Sequence, residues 1–371
     1  MTFLSEVQDT APQLRMQDAP EVSVCIPAYE AEDWIEHAIR SALAQTHRDL
    51  EVVVVDNDST DGTVARVSVL ALEDPRVRLY ANSRNLGVYR NFNRALALSR
   101  GRYIKFLCAD DVLERDCVER MLRPFALSPR VGLCFSPRAI DLEDPADAAG
   151  ARWKAKHERT HERFGELREI NSGAALMEAW LGNRLADNWI GEPSNVMMSR
   201  ECLARVGGFP LMMHDKGDMD LWLRAMLGHD IGFVDRRLAR LLVHPASLGI
   251  LNRETNRPWL DEVWMLEGLL SFDEARHYPE LRRLRRRAIA RTARNAVLRR
   301  RVPDRGKLAG ARAYAAARLR RRDRSRLYGA LDDLVPAGET VALSAAGPPA
   351  PGGASGRVSA GRSRSGSGSG T

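Results

Sequence analysis

What this 371-residue chain lacks narrows it first. No uncharged apolar run approaches the ~20 residues needed to cross a bilayer, and the opening MTFLSEVQDTAPQLRMQDAP has neither a basic start nor an apolar block. Membrane spanning and secretion are therefore not expected; a cytoplasmic location is, with residues 1–20 as a flexible arm. The five cysteines, Cys25, Cys108, Cys117, Cys134 and Cys202, form no CxxC pair and no Cys/His metal spacing. An odd set of this kind, placed mostly in or beside apolar runs, reads as reduced thiols. There is no GxxxxGK[ST] loop and no GxGxxG turn after the first apolar run, which removes support for a P-loop or a dinucleotide fold. Cations are concentrated in one segment: residues 275–330 hold 20 Arg and Lys against three acids, leaving residues 1–274 near −10 in a chain whose total is +7. A body so acidic is not built to wrap nucleic acid, which needs cations where the phosphates lie.

What is present is alternation. With 44% hydrophobic residues the chain can bury one large core or two smaller ones. Val22 to Ile26 is a short β-branched run closed by Pro27, and residues 31–45 then place Trp34, Ile35, Ala38, Ile39, Ala42 and Leu43 at helical spacing. The pattern repeats three times. Glu51 to Val55 leads to a helix near 62–72 with Thr60 as its cap, Val77 to Ala81 to a helix over 88–99, and Tyr103 to Leu107 to a helix over 114–127. Val131 to Ser136 makes a fifth run. Strands alternating with helices predict a mostly parallel sheet covered on both faces.

Open parallel sheets bind ligands outside the carboxyl ends of their strands. Polar residues stand there in this chain: Pro27, Ala28, Tyr29 and Glu30 after the first strand, Asp56, Asn57 and Asp58 after the second, Asn82 and Asn85-Leu86-Gly87 after the third, and Cys108, Ala109, Asp110 and Asp111 after the fourth. Any one cluster alone reads equally well as a turn or helix cap. Four on one edge point to a site. Carboxylates so placed can hold Mg²⁺ or Mn²⁺, which take one or two carboxylates together with substrate phosphates and act as Lewis acids on a diphosphate.

The stretches VSVCIPAYEAEDWIEHAIRSALAQTHRDLEVVVVDNDSTDGT and NLGVYRNFNRALALSRGRYIKFLCADD resemble the nucleotide-binding half of family 2 glycosyltransferases, and the resemblance extends over roughly residues 20–250. It implies a GT-A fold, a nucleotide-sugar donor, a divalent metal and inverting transfer. It also implies that Pro27, Ala28, Tyr29 and Glu30 line the nucleotide pocket and that Asp56 and Asn57 contact base or ribose. Gly87, Arg90, Asp110 and Asp111 would lie against the donor, Asp110 being also the metal-binding end of the Asp-x-Asp element. Cys108 stands where that element has its first Asp, and Asn57 where a second aspartate is usual. The segment EPSNVMMSRECLARVGGFPLMMHDKGDMDLWLRAML, residues 192–227, resembles the acceptor side, with Asp218 at the position of the general base and Gly217 where many relatives have an acid. An inverting transfer needs such a base within reach of the acceptor hydroxyl. His244, in LLVHPASLG, resembles a histidine directed at the metal or diphosphate.

His157 and His161 have an i, i+4 spacing, yet their charged neighbours and missing third ligand favour a solvated helix face. Trp180 and Trp189 are candidates to stack on sugars, while Trp222 reads as core. Asp220 reads as structural or acceptor-orienting. From 141 to 190 the alternation fails, as in an acceptor-selecting insertion or lid. Beyond 258, two or three helices are expected. Leu281, Leu284, Ala288, Ile289, Ala293, Ala296 and Val297 form a stripe under arginines, which reads as packing onto the domain or, through residues 275–330, as contact with an anionic membrane face and a lipid-linked acceptor.

The expected organisation is an arm over 1–20, a GT-A domain over 21–255 with halves meeting near 140, a basic helical extension over 256–335 and a disordered tail over 336–371. The expected activity is transfer of a sugar from a UDP-sugar, or a dTDP- or GDP-sugar, to an acceptor hydroxyl of a glycan or lipid-linked intermediate. A nucleotidyltransferase of similar fold would carry a Gly-rich, Lys-containing loop where IPAYEAEDW stands. A catalytically silent sugar-nucleotide or membrane-binding module is the rival of another class.

Overall fold

The computed structural model describes residues 19–245, 247, 260–298 and 340–342. The arm through residue 18, the basic segment beyond 298 and the rest of the tail lie outside the described residues.

Val22–Ala28 (β1) and Leu50–Asp56 (β2) are short β-branched runs with almost every side chain buried, as strands covered on both faces require. Val52, Val53, Val54 and Val55 have no solvent exposure, each contributing ~1.5–3 kcal/mol by burial. Helix α1 (Ile35–Leu43) follows β1 and turns Ile35, Ala38, Ile39 and Ala42 inward. Thr63–Glu73 (α2) follows β2, Val77–Asn82 (β3) precedes Val88–Leu98 (α3), and Tyr103–Phe106 (β4) is joined by the short Val112–Leu113 (β5) to Cys117–Leu127 (α4). Val131–Phe135 (β6) and Ala139–Leu142 (β7) come next. Then follow Ala148–His157 (α5), Ile170–Asn171 (β8), Gly173–Gly182 (α6), Val196–Ser199 (β9), Arg200–Val206 (α7), Gly217–Met226 (α8), Asp230–Phe233 (β10) and Ala239–Val243 (β11). Asp261–Leu269 (α9), Pro279–Leu298 (α10) and Thr340–Ala342 (β12) complete the described elements.

The main sheet runs β12-β3-β2-β1-β4-β9-β6-β10-β8. Strands β3, β2, β1 and β4 are mutually parallel, β6 pairs parallel with β10, and β9 runs antiparallel between β4 and β6. A smaller sheet, β5-β11-β7, stands beside it. The architecture is the mostly parallel, helix-flanked α/β sheet expected from the alternation.

Particular elements differ from expectation. Thr60 does not cap α2: Gly62 occupies that place, while the Thr60 amide and hydroxyl both donate to Glu30 Oε1, at 2.8 and 3.1 Å. The polar loop after β2 is thus spent on bracing the loop after β1. Trp180 and Trp189 are buried in the main core, stacked on each other with centroids 5.9 Å apart, so neither offers a face to a sugar. His157 ends α5 with Nδ1 on the Trp153 carbonyl and His161 lies in the following 3-10 turn, so they do not share a helix face. Thr340–Ala342, placed by the sequence in a structureless tail, adds antiparallel to the open edge of β3. All five cysteines are free thiols.

Two hydrophobic clusters fill the two faces of the sheet. One joins Val53 and Phe106 to Trp222, Trp264, Leu281, Leu284 and Ala288, so α9 and the start of α10 pack into the same core as the sheet. Helix α3 supplies polar side chains to this interior. Asn91 Nδ2 donates to the Val55 carbonyl at 2.9 Å, and Asn93 grips the Gly207-Gly208-Phe209 turn, donating to the Phe209 carbonyl at 2.8 Å and accepting its N–H at 2.7 Å. Gly208 permits that approach: a Cβ there would lie 2.3 Å from Asn93 Oδ1. Gly208→Ala is therefore expected to cost ~1–3 kcal/mol of stability, read as a lowered urea midpoint; an unchanged midpoint would show that the turn is not clamped.

Candidate active site

The carboxyl ends of β1, β2 and β3 are tied into one surface by their own side chains. Glu30, in the left-handed region at φ 47°, donates its N–H to Ser59 Oγ at 3.0 Å, and Pro27 and Ala28 continue the strand into this turn. Ala28 is buried and its carbonyl accepts the Asn57 N–H at 2.9 Å, whereas Tyr29 is exposed. Asp56 is buried. Its Oδ2 accepts the Ser59 N–H at 3.0 Å, while Oδ1 has no protein partner, and desolvation raises its pKa. Asn57 is largely committed to the loop after β3, accepting from Asn82 Nδ2 and the Leu86 N–H at 3.0 and 2.9 Å and donating to Asn85 Oδ1 at 3.0 Å. Gly87 stands at the N-terminal cap of α3, and Arg90 is exposed one turn on.

After β4 the chain forms an acidic knot. Ligating atoms of Cys108, Asp110 and Asp111 lie within 4.8 Å of one another. Asp111 is buried, accepts the Leu242 N–H at 3.0 Å and is bonded to the Ser194 hydroxyl. Burial, then the Asp110 and Glu192 charges, hold its pKa well above the usual carboxylate range. The Cys108 thiol is likewise pushed well up, first by burial and then by Asp111 and Asp110, so it stays protonated. Asp110 remains partly open to solvent and meets His244 across 134 residues of chain, with Nε2 3.1 Å from Oδ2. Trp34 lies against the His244 ring, centroids 4.2 Å apart.

These groups fit a hard divalent ion only in part. Asp110 offers an accessible carboxylate and His244 a nitrogen beside it. Asp111 is already bonded on both sides, and a protonated Cys108 is a poor ligand for such an ion. The set suits an ion held loosely by one carboxylate and one imidazole, completed by phosphate oxygens.

Asp218 opens α8. Its Oδ1 accepts the Met219 N–H at 2.6 Å and its Oδ2 a bond from Asn188 Nδ2 at 2.9 Å. Desolvation first, then the Glu192 carboxylate, push its pKa up to about 7. Asp220 is fully buried and paired with Arg224 at 2.8 Å, a structural position.

What joins Asp218 to the acidic knot is the segment from Asn188 to Asn195, which the sequence did not single out as carrying site residues. It follows a loop in which Arg184, Leu185 and Asp187 all take left-handed backbone. Asn188 holds Asp218, and its carbonyl accepts from Arg138 Nη2 at 2.9 Å. Arg138 Nε pairs with Glu192 at 2.6 Å, and Ser194 Oγ accepts the Cys108 N–H at 2.8 Å. Glu192 acts electrostatically on Asp111, Cys108 and Asp218 alike. Asn188, Glu192, Ser194 and Arg138 are therefore candidate site residues missed by sequence reasoning. The one signal was Glu192 opening the EPSNV segment.

A mostly parallel sheet with this acidic strand-end site is the GT-A class of transferase fold. Residues 1–349 of S. aureus TarS, crystallised with UDP, share it with TM-score 0.54 and 17% identity, each chain being 77% covered. Residues 23–179 match the model of glycosyl transferase family 2, the family that the sequence motifs resemble. An uncharacterized protein, MT1568, of Mycobacterium tuberculosis is 36% identical over 220 residues, which are 59% of this chain and 66% of that one. Chondroitin synthase of Escherichia coli is 37% identical over 139 residues, 37% of this chain and 20% of the synthase. The chain thus spans less than two thirds of these curated relatives.

The raised pKa of Asp218 has a consequence for stability. A carboxyl at about 7 in the fold and near 3.8 when unfolded binds its proton more tightly in the native state. Its contribution is complete below the unfolded value and is lost as pH rises toward 7. Asp218→Asn should accordingly raise the melting temperature at pH 8 relative to the parent and change it little at pH 4, as differential scanning fluorimetry can check.

Proposed function

We propose that this protein is an inverting glycosyltransferase that moves a sugar from a nucleotide-sugar donor to an acceptor hydroxyl, with Asp218 as the general base. The observation that carries this reading is Asp218 itself: a carboxylate with a pKa of about 7, tied through Asn188 and the 188–195 segment to the Asp110–His244 pair. A base of that strength is half-deprotonated near neutral pH and so is matched to taking a proton from an alcohol as attack proceeds. The donor half, about residues 21–140, would bind the nucleotide along Pro27, Ala28, Tyr29, Glu30, Asp56 and Asn57. Asp56 Oδ1, buried without a protein partner, suits an N–H of the base. UDP is the default donor nucleotide; dTDP and GDP fit the same reasoning. Gly87 and Arg90 would face the donor, with the guanidinium free to meet a phosphate.

A divalent ion on Asp110 and His244, Mn²⁺ in preference to Mg²⁺ because of the imidazole, would neutralise charge on the departing diphosphate. The remaining work belongs to the chain. Asp218 receives the hydroxyl proton, Asn188 holds the carboxylate that receives it, and Glu192 keeps that carboxylate basic. The acceptor half, about residues 141–255, would receive the acceptor, for which a cell-envelope glycan or lipid-linked intermediate is proposed by analogy with the family's polysaccharide-forming members.

Transfer from radiolabelled UDP-, dTDP- and GDP-sugars in the presence of Mn²⁺ tests the reading. Asp218→Asn should lower the transfer rate roughly 10²–10⁴-fold, to a small residual value, while leaving nucleotide binding intact. In the parent, the rate should rise with pH through about 7 as Asp218 loses its proton, and Glu192→Gln should move that rise to lower pH. Nucleotide binding without transfer to any acceptor would instead identify a binding module.

The basic extension supports a peripheral contact with an anionic membrane face. No helix among the described residues is long and apolar enough to cross a membrane. On α10, Leu281, Leu284 and Ala288 face the core, leaving Arg282, Arg283, Arg286, Arg287, Arg291 and Arg294 exposed. Each cation near an anionic surface contributes ~1 kcal/mol. Co-flotation of the full chain with vesicles should require phosphatidylglycerol, and Arg282→Glu with Arg286→Glu should weaken it about tenfold or more; equal flotation with neutral lipid removes the proposal.

A further inference from the structure

The backbone that delivers Asp218 is held from outside its own helix. The N–H groups of His214, Asp215 and Lys216 all donate to a single oxygen, Asp261 Oδ2, at 2.9, 2.7 and 3.1 Å. The next N–H, that of Gly217, donates to Tyr89 Oη at 2.8 Å. Four consecutive amides before the base are thus satisfied by two side chains, one from α9 and one from α3. Asp261 is 1% exposed and Tyr89 7%. Such buried acceptors allow little play, because a shift of the turn would leave the Asp261 carboxylate and the Tyr89 hydroxyl, both buried, without these donors.

Tyr89 is held in turn by stacking on Phe209, with centroids 5.6 Å apart and planes 9° from parallel. Burial, and then the Asp218 and Asp261 charges, keep its hydroxyl protonated well above its ordinary range. Its ring explains Gly217: a Cβ at that position would lie 2.5 Å from Tyr89 Cζ, so the acid that resembling sequences place before the base has no room here. Asp261 is anchored by its helix, which packs on α8 and is joined to α10 by ion pairs Glu262–Arg291 and Glu267–Arg285.

We propose that Asp261 and Tyr89 are positioning residues for Asp218, which makes α9, outside the residues that match the family model, a necessary part of the catalytic unit. The inference rests on the reading of Asp218 as the base. Tyr89 comes from the helix that opens at Gly87 on the donor side, so the same clasp sets the base at a fixed place relative to the donor. Misplacement by an ångström or less is enough to lower a rate strongly when a proton must leave during in-line attack.

The test uses the full chain with Tyr89→Phe, Asp261→Ala and Asp261→Asn, each alone and combined with Asp218→Asn. Steady-state transfer is measured at saturating donor and acceptor, and nucleotide affinity by calorimetry. The expected result is a kcat reduced roughly tenfold or more in Tyr89→Phe and Asp261→Ala, with nucleotide affinity within about twofold of the parent. Asp261→Asn should retain more activity than Asp261→Ala, because its carbonyl still accepts. In the Asp218→Asn background none of the three should lower the residual rate further, the non-additivity of groups acting as a unit.

Parental kcat in Tyr89→Phe and Asp261→Asn, with Asp218→Asn reduced to its residual rate, would overturn the inference while leaving the base in place. Losses that persist undiminished in the Asp218→Asn background, or that track nucleotide affinity, would overturn it as well. Full activity in Asp218→Asn overturns the underlying reading and the inference with it. Should Asp261→Ala fail to fold, Tyr89→Phe, which deletes one oxygen, decides the matter with Asp261→Asn.

Discussion

Polar groups buried in the interior must find partners, and in this protein α3 is where that requirement is met and turned to use. Asn91 fastens the helix to the end of β2, Asn93 to the Gly-Gly-Phe turn before α8, and Tyr89 to the first amide of α8. Each bond costs desolvation to both partners and repays it only in one relative placement of the strand ends and the acceptor-side helix. The hydrophobic core tolerates small slides between helices; these hydrogen bonds do not. The geometry of a site assembled from residues nearly 200 positions apart therefore depends on a single amphipathic helix whose inner face is partly polar.

The second organising constraint is a concentration of like charge. Asp110, Asp111, Glu192 and Asp218 crowd one end of the sheet, and Arg138 reaches Glu192 from beneath. Burial raises Asp111 and Asp218 first, and the neighbouring carboxylates, Asp110 and Glu192 on Asp111 and Glu192 on Asp218, raise them further. A cation at Asp110 and His244 would relieve the same repulsion and create a place for a diphosphate in an otherwise anion-repelling hollow.

Cys108 and Gly217 depart from the pattern of the resembling family, and the structure treats them differently. Gly217 is accounted for by Tyr89, whose ring occupies the room a side chain would need. Cys108 donates its amide to Ser194 Oγ, while its thiol, held protonated, contributes no charge. The acidic knot has correspondingly one carboxylate fewer, leaving Asp110, partly open to solvent, with the buried His244 beside it.

The sheet and its helices could be read from the chain because period-2 and period-3.6 patterns are local: Val52 to Val55 make a buried strand wherever they are placed, and Ile35, Ala38, Ile39 and Ala42 define one helical face. The strand-end residues Asp56, Asp110 and Asp111 were legible for the same reason, since a strand's end is itself a local feature. Thr60 was misread because its competing partner, Glu30, lies 30 residues away. Trp180 and Trp189 were misread because burial depends on what packs over a side chain. Asn188, Glu192, Arg138 and Asp261 were invisible as site residues for a related reason. Their roles consist of bonds to groups between 30 and 54 residues distant, and no spacing rule records such a bond. The sequence by itself determined which segments become strands and helices and which polar groups stand at their ends. Only tertiary structure decided which of those groups face one another, because burial, repulsion and hydrogen bonding between distant residues arise only once the chain has closed.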